Sequence, residues 1–304
     1  MSELQQYEQT EARTCEGPGR EIPRMSWEAT ELNNNQNIST GIKGKYIFDN
    51  GLPEAENRFG LLSKLFDDRT IHYIEERGIR EGWSCLEVGG GGGSIAAFLC
   101  SRTGDAGRVL ATDIDTRFLQ ALPFPNLEVR KHDIRIEPLP SQEFDLVHAR
   151  LVLEHLAEPD TALKRMVAAL KPGGWIVLEE FDHLALLPNP EANSPDELLQ
   201  LRDAFQRVLD ARGVEMHYGR MLARRLSANG LVNVGAEVNG SMWKSGSAGI
   251  TLLKLNCEGL RETIIGSGLM SESQFDSDMK RLDEPDFSIA SPVMWTAWGQ
   301  LGGG

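Results

Sequence analysis

The chain has 304 residues, a formal net charge of -14 and 40% hydrophobic residues. This length can bury a large core, and the acidic balance argues against nucleic-acid binding through a broad basic surface. The four cysteines show no Cys-x-x-Cys spacing, which predicts a cytoplasmic protein with neither a disulfide framework nor a zinc site. We expect no membrane association, because no apolar run reaches transmembrane length.

The N-terminal region, residues 1–50, is polar and contains Gly17-Pro18-Gly19 and a run of asparagines. A mobile tail is the preferred interpretation for residues 1–20. The alternative for the rest is a segment that folds over the active site or onto a neighbouring subunit, and a homo-oligomer is compatible with that arrangement. Residues 53–78 are predicted to be helical, with apolar residues at helical spacing and Gly78 as the stop.

Between residues 83 and 182, segments of strand composition alternate with segments of helical composition. The predicted strands are Ser84–Val88, Arg108–Thr112, Leu127–Arg130, Phe144–Ala149 and Trp175–Glu179. The predicted helices are Ser94–Arg102, Thr116–Ala121, Leu151–Leu156 and Asp160–Leu170. Alternating βα units of this length indicate a parallel, doubly wound α/β sheet.

After residue 183 the regular alternation of strands and helices ends. Helices are predicted from Ser194 as a cap, over Arg220–Ala228, over 248–265 and over 271–282, where Ser271 and Gln274 have capping-box spacing. Two further strands are predicted at Leu231–Val238 and Ile289–Trp298.

The most informative stretch joins the first predicted strand to the following helix through five consecutive glycines. Glycine allows positive φ and lets a ligand approach the main chain closely, so this turn predicts a nucleotide site. The dinucleotide pattern Gly-x-Gly-x-x-Gly does not fit, and no Lys-Ser/Thr follows as in a P-loop. The pattern apolar-apolar-acid-x-Gly-x-Gly-x-Gly is matched by Glu87, Gly89, Gly91 and Gly93.

With this match the chain resembles the class I S-adenosylmethionine (SAM)-dependent methyltransferases, over roughly residues 58–182. Further pieces follow in the family's order, namely VLATDID at 109–115, HDI at 132–134, FDLVHAR at 144–150, LEHL at 153–156 and LKPGG at 170–174. The resemblance implies a Rossmann-like α/β fold with a seven-stranded, mostly parallel sheet, helices on both faces and an inserted helical lid.

The resemblance also implies a division of the chain into four parts. They are an N-terminal polar lid segment at 1–50, a SAM-binding core at 51–183, a helical lid insertion at 184–230, and a C-terminal part at 231–304 that completes the sheet and covers the substrate.

The implied cofactor is SAM, with S-adenosylhomocysteine (SAH) as product. Glu87 would attract the ammonium group, and Asp113 would offer two oxygens to the two ribose hydroxyls. Asp133 would accept from the adenine amino group, and Ile134 would pack beside the base. Ile114 is a further predicted cofactor contact.

Three further residues are assigned to the cofactor by the same resemblance. The main chain near His148 would face the methionine part of SAM, and Tyr46 would cover the cofactor from the N-terminal segment. Arg58 would pair with the SAM carboxylate, with an ordinary solvated helix charge as the alternative.

Methyl transfer depends mainly on positioning donor and acceptor, because neutral sulfur is already a good leaving group. A general base is needed only for acceptors that must lose a proton. His155, placed after the fourth strand, is the first candidate, and a helical histidine with satisfied hydrogen bonds is the alternative. Glu180 and His217 are the other candidate catalytic residues.

The region after residue 183 is expected to cover the substrate. Phe181, Phe205, Tyr218 and Trp243 are the predicted contacts, with core packing as the alternative for most aromatics there. A helical lid of this kind predicts a roofed, mostly apolar pocket for a hydrophobic small molecule. The sequence is similar in style to bacterial enzymes that tailor secondary metabolites by O-, N- or C-methylation. SAM-assisted rearrangement and non-catalytic SAM binding are the alternatives.

Overall fold

The structure is a computed structural model that describes residues 54–183 and 195–303. Its strands are β1 (Ser84–Val88), β2 (Arg108–Asp113), β3 (Leu127–Lys131), β4 (Phe144–Arg150), β5 (Leu170–Asp182), β6 (Leu231–Asn239), β7 (Met242–Lys244), β8 (Ser288–Ala290) and β9 (Val293–Leu301). Its helices are α1 (Glu54–Glu76), α2 (Ser94–Thr103), α3 (Pro159–Ala169), α4 (Pro195–Ala211), α5 (Tyr218–Ala228), α6 (Ala248–Gly259), α7 (Arg261–Gly266) and α8 (Glu272–Arg281).

Seven strands form one sheet in the order β3-β2-β1-β4-β5-β9-β6. The pairs among β1 to β5 are parallel, whereas β9 runs antiparallel to both β5 and β6. The chain order reverses between β1 and β4, and ligands of open α/β sheets bind at the carboxyl ends of strands beside such a reversal. The seven-stranded, mostly parallel fold is therefore confirmed, while the four-part division of the chain stays a prediction.

The five predicted parallel strands are confirmed. β1, β2 and β4 are largely apolar runs that the sheet buries on both faces, whereas the edge strand β3 is only partly buried. β5 differs in its start, since it already begins at Leu170. Leu170 pairs with Phe144 and Trp175 pairs with Leu146, so the Lys-Pro-Gly-Gly stretch forms a bulge inside the strand.

Two predicted helices on the ligand side of the sheet are wrong. Thr116–Ala121 and Leu151–Leu156 contain only 3₁₀ turns, at Leu119–Ala121 and Leu153–His155. Leu151 has φ of +56°, a left-handed conformation that cannot continue a right-handed helix. The chain therefore turns tightly after β4 and keeps its backbone N–H groups available to side chains.

The predicted last strand is split, because Pro292 has no N–H for a ladder and interrupts it. Ser288–Ala290 pairs with β7 in a separate ribbon, and Val293–Leu301 joins the main sheet. The capping box predicted at Ser271 and Gln274 is confirmed at the start of α8. The predicted cap at Ser194 lies outside the described residues.

Two of the four buried apolar clusters of the described residues position the site. One fills the space between the sheet and α3 and α5, with Leu86, Val147 and Leu163 fully buried. The other joins α4, α6, α7 and α8 to the β7–β8 ribbon around side chains such as Phe275 and Ile289. We call these four helices and the ribbon together the cover. Within the described ranges, no helix is both long and apolar enough to cross a membrane.

Candidate active site

A cavity of about 720 Å³ lies between the carboxyl ends of the parallel strands and the cover. This volume is within the usual range of about 300–1,000 Å³ for small-molecule sites. Among the residues predicted from the sequence, the cavity wall contains Arg58, Glu87, Gly89, Gly91, Asp113, Ile114, Asp133, Ile134, His155, Phe181, Phe205 and Trp243. The structure therefore brings most of the predicted cofactor contacts together with three predicted substrate contacts.

The glycine turn after β1 presents its main chain to this cavity. Gly91 has φ of +49°, and a Cβ built on it would lie 2.8 Å from Cε1 of Phe59. A Cβ on Gly89, where φ is +70°, would lie 2.4 Å from Cγ2 of Val152. Neither position has room for a side chain, so the turn forms a smooth backbone cradle. Gly93 instead precedes α2, with φ of +84°, and does not line the cavity.

Asp113 ends β2 and points its carboxylate at the glycine turn. Oδ2 accepts a hydrogen bond from the Gly91 N–H and Oδ1 accepts one from the Asp115 N–H, each at 2.9 Å. Burial raises the pKa of Asp113, and these backbone hydrogen bonds oppose the rise. A carboxylate has about four acceptor positions, and the backbone hydrogen bonds do not use all of them, so acceptor capacity remains for the hydroxyl groups of a ligand.

Asp133 and the two isoleucines form the neighbouring part of the wall. The Asp133 carboxylate is paired with Arg135, whose Nη2 lies 2.7 Å from Oδ2 and whose hydrogen bonds lower the pKa of Asp133. Ile134 is buried and Ile114 is 47% exposed, so only the latter presents a broad apolar surface. This wall offers carboxylate oxygens and one broad apolar face to a flat ring.

A buried charged network supports Glu87 from behind. The Nδ1 atom of His148 lies 2.6 Å from Oε2 of Glu87, and its Nε2 atom lies 3.5 Å from Oε2 of Glu179. Burial lowers the pKa of His148, but the two carboxylates outweigh this effect and raise it to about 9. His148 is therefore an imidazolium held between two carboxylates, and its ring does not line the cavity.

The network continues from Glu179 to the cavity wall. Thr296 donates to Oε1 of Glu179 at 2.8 Å, and Thr70 donates a short hydrogen bond to Oε2. Thr70 in turn accepts from Nη1 of Arg150 at 2.8 Å, and Nη2 of Arg150 donates to Asp67. The chain of contacts fixes α1, β4, β5 and β9 to one another directly below the site.

A second cluster joins one carboxylate to two histidines. Oε1 of Glu154 lies 3.2 Å from Nε2 of His183 and 3.5 Å from Nε2 of His155, and all three residues line the cavity. Burial raises the pKa of Glu154, but the two histidines outweigh it and the pKa is lowered. Burial lowers the pKa of His155, so its imidazole is neutral at neutral pH and can accept a proton.

Glu180 lies behind the turn after β4 and not on the cavity. Oε1 accepts from the N–H groups of Val152 at 3.1 Å and Leu153 at 2.7 Å, and Oε2 accepts from Glu154 N at 3.3 Å. Burial raises the pKa of Glu180 well above its usual value. In this position the side chain orders the turn that carries Glu154 and His155.

The other predicted contacts lie away from the cavity wall. Tyr218 is fully buried in the apolar cluster of the sheet, with the Arg225 guanidinium 4.2 Å from its ring centre. His217 has a side chain that is 41% exposed, with Nδ1 3.9 Å from Oδ1 of Asp182. Tyr46 lies outside the described residues.

Several residues of the wall were not predicted from the sequence, among them Phe59, Glu154, Arg212 and Asn256. Glu154 adjoins the predicted base, and that adjacency was the available signal. Phe59 lies in the segment 53–78, for which the sequence predicted only a helix. Arg212 and Asn256 lie within the predicted covering region, but nothing in the sequence singles them out there.

Comparisons with known proteins match the central part of the chain. Residues 86–178 match the family model for a methyltransferase domain. Methyltransferase str2 of Strobilurus tenacellus is 31% identical over 146 residues, which are 47% of this chain and 51% of that protein. The ubiquinone/menaquinone biosynthesis C-methyltransferase UbiE of Pseudomonas putida is 32% identical over 116 residues, which are 36% of this chain and 45% of that protein.

The chain thus spans about half the length of the curated relatives it matches. Among solved structures, the YcgJ protein of Bacillus subtilis has a similar fold, with a TM-score of 0.50 and 16% sequence identity. That similarity covers 76% of this chain and 97% of the YcgJ chain.

The strand order, the antiparallel β9 and the glycine turn define a Rossmann-like domain with a nucleotide-type site. Together with the match of residues 86–178 to a methyltransferase domain, they support a class I SAM-dependent methyltransferase family for this part of the chain. SAM is the cofactor of this family, and the residues present fit it. Asp113 has remaining acceptor capacity for ribose hydroxyls, the glycine turn lets a ligand approach the main chain, and Glu87 lines the same cavity with a carboxylate.

Proposed function

We propose that this chain transfers the methyl group of SAM to a small hydrophobic acceptor in secondary metabolism. The observation that carries the proposal is the single cavity of about 720 Å³, whose wall runs from the glycine turn and Asp113 to the aromatic side chains of the cover. Donor and acceptor can therefore share one enclosed space. Such positioning accounts for most of the rate of an in-line displacement.

The cofactor end of the cavity is negatively charged. When bound, SAM supplies an electrophilic methyl group on a positively charged sulfur. Glu87 lines the cavity, and its carboxylate is fixed by His148, so its orientation is set before any ligand arrives. Asp113 holds the glycine turn and offers its remaining acceptor positions to the ribose hydroxyls.

The acceptor end supports an apolar small molecule. Phe181, Phe205 and Trp243 line it and offer an apolar surface to the acceptor. The relative UbiE is named as a C-methyltransferase of ubiquinone and menaquinone biosynthesis, which supports a small-molecule acceptor. The net charge of -14 argues against a nucleic-acid acceptor.

His155 is the proposed general base for an acceptor that must lose a proton. Its neutral imidazole lies on the cavity wall, and Glu154 stabilises the imidazolium that forms when the proton arrives. His183, on the other side of Glu154, competes for the same carboxylate. The Glu154 carboxylate therefore contacts both imidazoles from one position on the cavity wall.

The test uses SAM with an isotopically labelled methyl group. The purified protein is incubated with small-molecule, protein and RNA fractions of the source cell, and SAH release is measured in parallel. We expect label in an apolar small molecule, with one SAH per methyl group transferred. Label in protein or RNA would refute the acceptor class. Product formed without SAH release would instead indicate SAM-assisted rearrangement.

A further inference from the structure

The end of the cavity that the cover closes is lined mainly by apolar side chains. Phe205 and Leu209 of α4, Trp243 of β7, and Leu252 and Leu253 of α6 contribute to it. Such a surface contacts the carbon skeleton of a ligand without specifying any polar group. A charged side chain nevertheless lies on the same wall.

That side chain is Arg212, which directly follows α4. Its Nη2 atom lies 3.4 Å from Oγ1 of Thr263, and its Nε atom is shielded from solvent without a hydrogen-bond partner in residues 54–183 and 195–303. Across those same ranges, Arg212 belongs to none of the ion pairs. A guanidinium is charged at any physiological pH, so the cavity wall carries a cation whose counterion the described chain does not supply.

Other arginines on this wall differ from Arg212 in this respect. Arg150 is bonded to Asp67 with an Nη2–Oδ1 distance of 2.8 Å, and Arg135 is bonded to Asp133 at 2.7 Å. Both therefore have a carboxylate from the chain itself. The partner of Arg212 is instead the neutral hydroxyl of Thr263, at a distance of 3.4 Å, which is long for a hydrogen bond.

Asn256 adds a second polar group to the same wall. It lies on α6, and its Oδ1 atom is buried without a hydrogen-bond partner in the described part of the chain. This atom is shielded from the cavity as well as from solvent, so Asn256 marks a polar residue on the wall without itself facing a ligand. The charged guanidinium of Arg212 therefore carries the polar recognition at this end of the cavity.

The backbone places Arg212 on the acceptor side of the site. The segment that follows it is bonded to the histidine cluster, because Glu215 N donates to Glu154 O at 2.8 Å and His183 N donates to Met216 O at 3.1 Å. The carboxylates that face the cofactor lie on β1 and β2 instead. The cavity thus has a negative cofactor end, and its acceptor end carries an uncompensated positive charge.

We propose that the acceptor is an apolar molecule that carries a carboxylate group, and that Arg212 binds this carboxylate. The inference rests on the proposed function. The guanidinium presents parallel N–H donors that match the two oxygens of a carboxylate, and the surrounding apolar wall strengthens the pair. The carboxylate anchors the acceptor and is not the methylated group, because Arg212 holds its lone pairs.

The test compares two probes of nearly equal size on the SAH-loaded protein by isothermal titration calorimetry. They are 2-naphthoate, which is anionic, and 2-acetylnaphthalene, which is neutral. We expect the wild type to bind the acid at least 10-fold more tightly, and Arg212→Gln to reduce the preference to within 2-fold. Arg207→Gln removes an exposed positive charge from α4, the helix that precedes Arg212, and is expected to keep the preference for the acid. Arg212→Lys keeps the charge without the fork and is expected to give an intermediate ratio.

Equal binding of both probes by the wild type, no binding of either, or an unchanged preference in Arg212→Gln would overturn the inference. The SAH titration of each variant checks that the fold and cofactor site are intact. If the protein methylates only neutral acceptors, the proposed function stands and the inference about Arg212 is wrong. If it prefers the acid but transfers no methyl group, the inference stands and the proposed function is wrong.

Discussion

The imidazolium at His148 makes the stability of this protein depend on pH in a defined direction. A pKa raised from 6.5 to about 9 corresponds to about 3 kcal/mol of stability. For a raised pKa, this stability is complete below about pH 6.5 and is lost as the pH rises through 9. We therefore expect the wild type to lose about 3 kcal/mol more than His148→Gln between about pH 6 and pH 9.5.

The measurement is urea unfolding, followed by circular dichroism, for both proteins at the two pH values. His148→Gln is also expected to be about 3–5 kcal/mol less stable at pH 6, since it leaves the Glu87 and Glu179 carboxylates buried without their cation. His72→Gln is the matched control, because His72 is exposed and forms a solvated ion pair with Glu76 on the surface of α1. An identical pH dependence in wild type and His148→Gln would refute the reasoning.

Three further outcomes concern the site. Asp113→Ala is expected to weaken SAH binding at least 10-fold, by losing charge-assisted hydrogen bonds, whereas the exposed Asp105→Ala has no effect in the same titration. Gly91→Ala should weaken SAH binding through its clash with Phe59, while Gly60→Ala, in open space on α1, raises stability by about 0.5–1 kcal/mol. If His155 is the base, its lowered pKa means that the rate of the wild type does not change as the pH falls to 6.5, and that it decreases only at lower pH. His155→Gln is expected to abolish this decrease. A pH profile of the variant identical to that of the wild type would contradict the role.

Local sequence patterns predicted the parallel part of the fold well. Buried parallel strands are continuous apolar runs, and the glycine turn has no common alternative to a ligand site. The same patterns failed after β4, where Leu151 adopts positive φ. A single unfavourable dihedral is decided by the contacts around it, here the three backbone hydrogen bonds to Glu180, and no periodicity in the sequence reports them.

The cofactor side of the site was predictable because its residues follow strand ends at fixed spacing. The acceptor side was not, because its residues come from separate helices that only the tertiary fold brings together. Arg212 and Asn256 are ordinary polar residues in helical segments, and their significance depends on which neighbours they lack. The partnership of Glu154 with His183 joins residues 29 positions apart and likewise has no local signature.

The cover's own apolar cluster has an evolutionary consequence. Phe205 of α4, Trp243 of β7 and Phe275 of α8 belong to the cluster of the cover and not to the core of the sheet, and they lie outside the matched residues 86–178. Substitutions in the cover can therefore change the shape of the acceptor end of the cavity, while the sheet and the cofactor end keep their stability and chemistry. In directed evolution, we expect selectivity for new acceptors to be gained mainly at cover positions.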